Sequence, residues 1–201
     1  MLPLTQATMN KDIIMGLADK QTGINKPISV EDYLKGELNS DIRHEYLGGD
    51  VYAMVGASDK HNLIILNLAT ELKPQTRSTS CQLFVTDMKV RLILNWNETF
   101  YYPDLLLSCD PNDRESYYRT KPCLLVEVLS ESTERIDRRE KMLAYTQIES
   151  LQEYILISQD KRELELHHRD NKWKAVIVHE GEIPIQCLNM TVSMDSIYEG
   201  I

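Results

Sequence analysis

Two acidic residues lie within apolar sequence that is otherwise typical of buried β-strands. Asp104 stands in YYPDLLLS and Glu127 stands in LLVEVLS. Burying an unpaired carboxylate is costly, so we expect each to be paired, protonated or coordinated to a cation. Pro103 cannot donate to a sheet ladder, which favours a bend or a sheet edge for Asp104. If the two strands are neighbours, both carboxylates can hold one Mg²⁺ or Mn²⁺ ion, which would bind a phosphate oxygen and activate water.

A lysine and a histidine in predicted helices could complete such a site. Asp137, Lys141 and Tyr145 recur at steps of four and share one helix face. The amine of Lys141 could therefore reach Glu127 if that face looks into the site. His61 lies in register with the apolar residues of its own helix, and it could bind phosphate or assist proton transfer.

Each of these residues also has a purely structural interpretation. Asp104 could be a turn carboxylate that accepts backbone hydrogen bonds, and Glu127 could form a structural ion pair with a buried Arg or Lys. Lys141 could lie on a solvated helix face, because its neighbours are charged. His61 could be a core histidine whose hydrogen bonds are satisfied.

The surrounding sequence predicts an α/β fold in which helices pack against a mixed sheet. An amphipathic helix is expected from an N-cap at Ser58 to Pro74, and another helix from about Glu134 to Gln147. The predicted strands lie in HEYL and DVYAM around a Gly-Gly turn, in CQLFVTDMKVRLIL, TFYYPDLLLSC, PCLLVEVLS and EYILIS, and in a hairpin of RELELHHR and KWKAVIVHE with which IPIQC can pair.

One group of charged residues is assigned no catalytic role. Asp87, Lys89 and Arg91 alternate with Met88 and Val90, which is typical of a strand with one solvated face.

Length and charge narrow the class of protein. The chain has 201 residues, of which 42% are hydrophobic, so we expect one compact domain over residues 27–201 after a loosely ordered leader, residues 1–26. Lys and Arg number 22 and Asp and Glu number 31, which gives a net charge of −9. Phosphate binding must therefore be local or metal-assisted.

The sequence has no signal peptide and no long apolar run, which predicts a cytoplasmic protein that does not enter the membrane.

The four cysteines predict no disulfide framework and no zinc site. Cys81, Cys109, Cys123 and Cys187 are separated by 28, 14 and 64 residues, a pattern typical of neither. We expect reduced, mostly buried thiols.

The sequence resembles a known group of nucleases. The Pro-Asp pair at 103–104 followed by Glu127 resembles the PD-(D/E)XK nuclease superfamily, and the chain is more closely similar to the Uma-two family of restriction-endonuclease-like proteins. The blocks that carry the likeness are SVEDYL (29–34), HEYLGGDVYAM (44–54), GASDKH (56–61), YYPDLLLSC (101–109), LLVEVLSEST (124–133), DRREKMLAY (137–145) and EYILIS (153–158).

That resemblance implies a restriction-endonuclease-like core with an added β-hairpin region at the C-terminus. It also implies that Asp104, Glu127 and the backbone carbonyl of Val128 hold Mg²⁺, for which Mn²⁺ could substitute. In the superfamily a Lys lies two residues after the second acid, but Leu129 occupies that position here. Lys141 is the candidate replacement, because the family pattern places a Lys in this helix.

The same resemblance adds a third acid. Glu45 matches a superfamily position near the first helix that often supplements the metal site, although a surface position is equally compatible with its place on a hairpin strand. Together with His61, Glu45 completes the predicted set of catalytic residues.

Two functions of different classes follow. The leading hypothesis is a Mg²⁺-dependent endonuclease that cleaves double-stranded DNA and acts as a homodimer. The alternative is a nuclease-fold protein that binds nucleic acid or a protein partner without cleaving it. Leu129 in place of the usual Lys favours the alternative, as does a charge of −9 that supplies no basic face in bulk.

Overall fold

The computed structural model describes residues 27–131 and 133–201. The leader predicted at residues 1–26 lies outside the described residues. The described chain forms two compact units, one from residues 27–56 with Ile93–Tyr101 and one from Ala57–Leu92 with Tyr102–Ile201.

Each helix and each strand is named by its order in the sequence. The helices are α1 (Val30–Glu37), α2 (Asp59–Leu72), α3 (Glu134–Ile136, Asp137–Lys141 and Met142–Tyr145) and α4 (Met194–Ile197). The strands are β1 (His44–Leu47), β2 (Asp50–Ala53), β3 (Gln82–Val85), β4 (Lys89–Leu94), β5 (Asn97–Tyr101), β6 (Leu105–Ser108), β7 (Tyr118–Arg119), β8 (Leu124–Leu129), β9 (Glu153–Ser158), β10 (Leu164–His168), β11 (Ala175–Val178), β12 (Glu182–Ile185) and β13 (Met190–Ser193).

The first unit is a small sheet with one helix. Its strands lie in the order β2-β1-β5, and the β1–β2 turn passes through Gly48 and Gly49 at positive φ, as the sequence predicts. Tyr33 of α1 packs against Tyr46, with ring centroids 4.9 Å apart, and donates a hydrogen bond of 2.6 Å to the carbonyl of His44. An aromatic cluster therefore anchors the helix to its sheet.

The second unit is built on a six-stranded sheet in the order β11-β10-β9-β8-β6-β3. Strands β8 and β9 run parallel, and the other pairs are antiparallel. Every residue of β8 and β9 is buried. Both strands are nearly continuous apolar runs, which is the composition that burial on two faces requires.

The first face of this sheet carries the main core. Helix α2 begins after Ser58, whose Oγ accepts a hydrogen bond of 3.1 Å from the His61 amide, so the predicted N-cap and helix are confirmed. Apolar residues at steps of three and four along α2 then meet alternate residues of the strands. The buried residues at this contact include Ile64, Leu68, Leu72, Leu105, Leu107, Leu124, Val126, Val128, Ile155 and Ile157.

The second face is covered by α3. Its residues Asp137–Lys141 form a π-helical turn, so the predicted helix is present but not regular. The ring of Tyr145 packs edge-on against Tyr154 of β9, with centroids 5.2 Å apart. Tyr154 also donates a hydrogen bond of 3.1 Å to the Asp137 carbonyl, which fixes α3 above the sheet.

Two predictions are wrong, one about strand pairing and one about the solvent exposure of a strand residue. The hairpin β10–β11 forms as predicted, but IPIQC does not join it, because β12 pairs with β13 and buries Ile183 and Ile185 in the main core. Lys89 does not lie on a solvated strand face. It is only 5% exposed, and its amine donates a hydrogen bond of 3.1 Å to Tyr102 Oη.

The prediction that all four cysteines are reduced is wrong for two of them. Cys81 and Cys109 form a disulfide. The β3–β6 register pairs Gln82 with Ser108 and, continued by one residue, sets these cysteines opposite each other. Such a partner is visible only once the strand pairing is known. Cys123 and Cys187 are free thiols, as predicted.

No helix in the described part of the chain combines the length and the apolar character that crossing a membrane requires.

The importance of the α2 contact can be measured with two leucines of the same helix. Leu68 is 2% exposed and Leu66 is 56% exposed. We expect Leu68→Ala to lower the free energy of unfolding by about 2 to 5 kcal/mol, because it leaves a cavity in the core. Leu66→Ala is the matched control and should change it by less than about 0.5 kcal/mol. Urea titration followed by circular dichroism measures both, and equal effects would contradict the packing described.

Candidate active site

The strand pairing places the two predicted acids next to each other. In the β6–β8 register, Leu105 is opposite Val126, and continuing by one residue sets Asp104 opposite Glu127. Asp104 itself lies in the bend that precedes β6, so the contacts of its side chain place its carboxylate, and not the strand pairing. Strand β5 ends at Tyr101, and Pro103 and Asp104 lie in the connection to β6, with Asp104 in a bend.

The Asp104 carboxylate is held by main-chain and side-chain contacts. Its Oδ2 accepts a hydrogen bond of 2.7 Å from the amide of Val128. The same oxygen lies 3.2 Å from Nε2 of His61, near the start of α2. The side chain is 16% exposed, so the acid lies at an opening rather than deep in the core.

His61 has one ring nitrogen on Asp104 and one without a partner. When Nε2 donates to Asp104, the neutral imidazole has an unprotonated Nδ1 that can accept a proton or a hydrogen bond. Within residues 27–131 and 133–201, Nδ1 is buried and has no hydrogen-bond partner. A satisfied core histidine is therefore not what the structure contains.

The Glu127 carboxylate is more deeply buried and faces α3. It is 3% exposed, and its Oε1 accepts hydrogen bonds of 3.1 Å from Lys141 Nζ and 2.9 Å from Tyr145 Oη. Lys141 and Tyr145 come from one face of α3, as their spacing predicts. The solvated-face interpretation of Lys141 is excluded, because this side chain is 5% exposed.

A third carboxylate shares the lysine. Asp137 Oδ1 lies 3.3 Å from Lys141 Nζ. Burial raises the pKa of Asp137, Lys141 opposes that shift, and the negative charge of Asp104 adds to it. Two carboxylates thus share one ammonium in a nearly dry environment, which makes this cluster sensitive to any added positive charge.

The position after Val128 contains no cation. Leu129 is 5% exposed and apolar. Lys141 of α3 lies beside Glu127, and its role as the replacement for a lysine at position 129 stays a prediction.

The donor set consists of hard oxygen ligands. The carboxylates of Asp104, in the bend before β6, and Glu127, on β8, and the Val128 carbonyl are the kind of ligand that Mg²⁺ or Mn²⁺ prefers when water and substrate complete the shell. In the described segments no three His, Cys, Asp or Glu side chains are arranged to hold a metal by themselves. The residues therefore fit an ion bound through two carboxylates and not a closed protein cage.

Glu45 belongs to the other unit. It lies on β1 opposite Tyr52 of β2. Its predicted contribution to the metal site stays a prediction.

Sequence reasoning missed three buried polar groups in the second unit. Asp137 and Tyr145 were recognised only as sharing a helix face with Lys141, yet Tyr145 contacts Glu127 and Asp137 contacts the lysine. Their spacing at steps of four was the available signal. The buried Lys89 gave no such signal, because alternation with apolar residues is equally typical of a solvated face.

Comparisons with known proteins identify the family of the chain. Residues 30–194 match the model of the Uma2 family, described as "Putative restriction endonuclease". Two curated relatives come from Synechocystis sp. (strain ATCC 27184 / PCC 6803 / Kazusa). The uncharacterized protein slr1290 is 34% identical over 178 residues, 87% of this chain and 93% of that protein. The uncharacterized protein sll1609 is 31% identical over 153 residues, 74% of this chain and 85% of that protein.

A solved structure shares the fold. It is the crystal structure of "a putative nuclease belonging to DUF820" from Anabaena variabilis ATCC 29413, with a TM-score of 0.69 and 14% sequence identity. The match covers 86% of this chain and 98% of that one. The predicted mixed α/β fold is therefore confirmed. Since the family model matches residues 30–194, most of the chain, the chain belongs to the Uma2 family of restriction-endonuclease-like proteins.

Proposed function

We propose that the protein is a metal-dependent endonuclease that hydrolyses phosphodiester bonds of double-stranded DNA. The observation that carries the proposal is that the β6–β8 register brings the chain at Asp104 beside Glu127, with Lys141 Nζ 3.1 Å from Glu127. Membership in a family described as restriction endonucleases supports a nucleic-acid substrate.

The proposed metal site uses Mg²⁺ held by Asp104, Glu127 and the Val128 carbonyl, with Mn²⁺ as a substitute. When bound, the ion would polarise the scissile phosphate and lower the pKa of an attacking water. The chain's own groups orient these ligands. The Val128 amide and His61 position Asp104, and Lys141 with Tyr145 positions Glu127.

Two further groups have proposed roles in charge and proton transfer. Lys141 offsets negative charge as it develops on the phosphate, a role that is strongest in a site with little water. His61 is proposed to assist proton transfer through Nε2, which lies 3.2 Å from Asp104 Oδ2. The active assembly is proposed to be a homodimer, which static light scattering measures.

The alternative is a protein of this fold that binds nucleic acid or a protein partner without cleaving. Two observations favour it. Lys141 is buried between Glu127 and Asp137, as in a structural ion pair, and the net charge is −9.

Cleavage is tested on supercoiled plasmid with Mg²⁺ or Mn²⁺. We expect Asp104→Asn and Glu127→Gln each to slow nicking by about 100-fold or more, because each removes a charged ligand from the reacting centre. Glu182→Gln, on the exposed edge of β12, is the matched control and should cleave at the wild-type rate. Nicking that survives in both acid variants would identify a contaminant or a different site.

Binding of the ion is tested separately from cleavage. Mg²⁺ that binds only the native state should raise the free energy of unfolding by about 1.4 kcal/mol at ten times its dissociation constant. Thermal unfolding and isothermal titration calorimetry, with and without Mg²⁺, measure this in the wild type, in Asp104→Asn and in the Glu182→Gln control. No heat and no thermal shift in the wild type at millimolar Mg²⁺ would support the non-cleaving alternative.

The contribution of Lys141 to the free energy of unfolding can be measured without a cleavage assay. Lys141→Met leaves Glu127 and Asp137 buried without their cation, so we expect a loss of about 3 to 5 kcal/mol in the free energy of unfolding. The double variant Lys141→Met with Glu127→Gln should recover part of that loss, because one uncompensated charge is removed. Urea unfolding measures both variants. A Lys141→Met variant as stable as the wild type would contradict the buried ion-pair geometry.

A further inference from the structure

All four cysteines of the chain gather at one edge of the main core. Cys123 is buried in that core, and Cys81, Cys109 and Cys187 pack against it. The bonded pair Cys81–Cys109 has a free thiol beside it, because Sγ of Cys123 lies 3.6 Å from Sγ of Cys109. The neighbouring Cys123 thiol and burial raise the pKa of the Cys187 thiol.

The sheet explains why three of these sulfurs lie in a row. Strand β6 lies between β3 and β8. Cys109 follows β6, Cys81 precedes β3 and Cys123 precedes β8, so all three stand at the same end of adjacent strands. The Cys123 amide donates a hydrogen bond of 2.8 Å to the Leu107 carbonyl, which holds Cys123 against β6. Cys109 therefore has a cysteine on each side.

We propose that Cys109 is the shared sulfur of an internal thiol–disulfide exchange site, in which the disulfide alternates between Cys81–Cys109 and Cys109–Cys123. The Cys123 thiol loses its proton, and the thiolate donates an electron pair to Sγ of Cys109. A Cys109–Cys123 bond forms as the Cys81–Cys109 bond breaks. Cys81 leaves as a thiolate and takes up a proton. One disulfide is present before and after, so the step needs no oxidant or reductant.

The approach of the sulfurs favours exchange over a permanent cross-link. Sγ of Cys123 and Sγ of Cys109 are already 3.6 Å apart, so little backbone movement is needed to reach bonding distance. Exchange would move the cross-link from the β3–β6 pair to the β6–β8 pair.

The proposal does not depend on nuclease activity, and its test measures cysteine chemistry alone. Full-length protein is purified without reductant, incubated at pH 8.5, quenched in acid at increasing times, denatured and labelled with N-ethylmaleimide. Peptide mapping then measures the labelled fraction of Cys81. We expect this fraction to rise with time to a plateau, together with a Cys109–Cys123 cross-linked peptide.

Three variants identify the attacking thiol. Cys123→Ala should lose the time-dependent labelling of Cys81. Cys187→Ser, the matched control that keeps a hydrogen-bond donor beside Cys123, should retain it. Cys81→Ser, oxidised in air, should form Cys109–Cys123 and leave Cys187 free, which tests the same geometry if Cys123→Ala fails to fold by circular dichroism.

Four results would overturn the proposal. The first is Cys81 that stays unlabelled in the wild type after prolonged incubation. The second is equal labelling of Cys81 in wild type and in folded Cys123→Ala. The third is a wild-type protein whose four thiols all remain free in air. The fourth is a Cys81→Ser variant that forms no Cys109–Cys123 bond.

Discussion

The pairing of β6 with β8 is the constraint on which the candidate site depends. Its register brings the chain at Asp104 beside Glu127, although 23 residues separate them along the chain. Both strands are buried on both faces, so a shift of β8 by one residue would move Glu127 from its partners on α3 into the apolar contact with α2. Strand register therefore fixes which face of the sheet carries Glu127.

Burial makes the Glu127 carboxylate dependent on partners from α3. A buried carboxylate without a partner is destabilising, and Lys141 and Tyr145, from one face of α3, both donate hydrogen bonds to Glu127. Asp137 binds the same ammonium, so the cluster contains two acids for one base. Two acids beside one base are compatible with a site that receives a divalent cation. They are equally compatible with a purely structural ion-pair cluster, so metal binding and cleavage have to be measured separately.

The sequence predicted correctly the features that a single helix, strand or turn determines by itself. The Ser58 cap, the apolar spacing of α2, the turn at Gly48-Gly49 and the apolar runs of β8 and β9 all appear as predicted. Predictions were wrong where a partner strand decides the outcome. Cys81 meets Cys109 through strand register, Lys89 is buried against Tyr102, and β12 pairs with β13 rather than with the hairpin.

The sequence by itself determined which residues could do chemistry, because an acid in an apolar strand is conspicuous and helical spacing places Lys141 on the face that carries Tyr145. Tertiary structure decided which of these groups meet. Contacts between Asp104 and His61, between Glu127 and Lys141, and between Cys109 and Cys123 join residues that are distant in the chain. They arise from strand register and helix packing, which depend on how the whole core is filled and which no local pattern encodes.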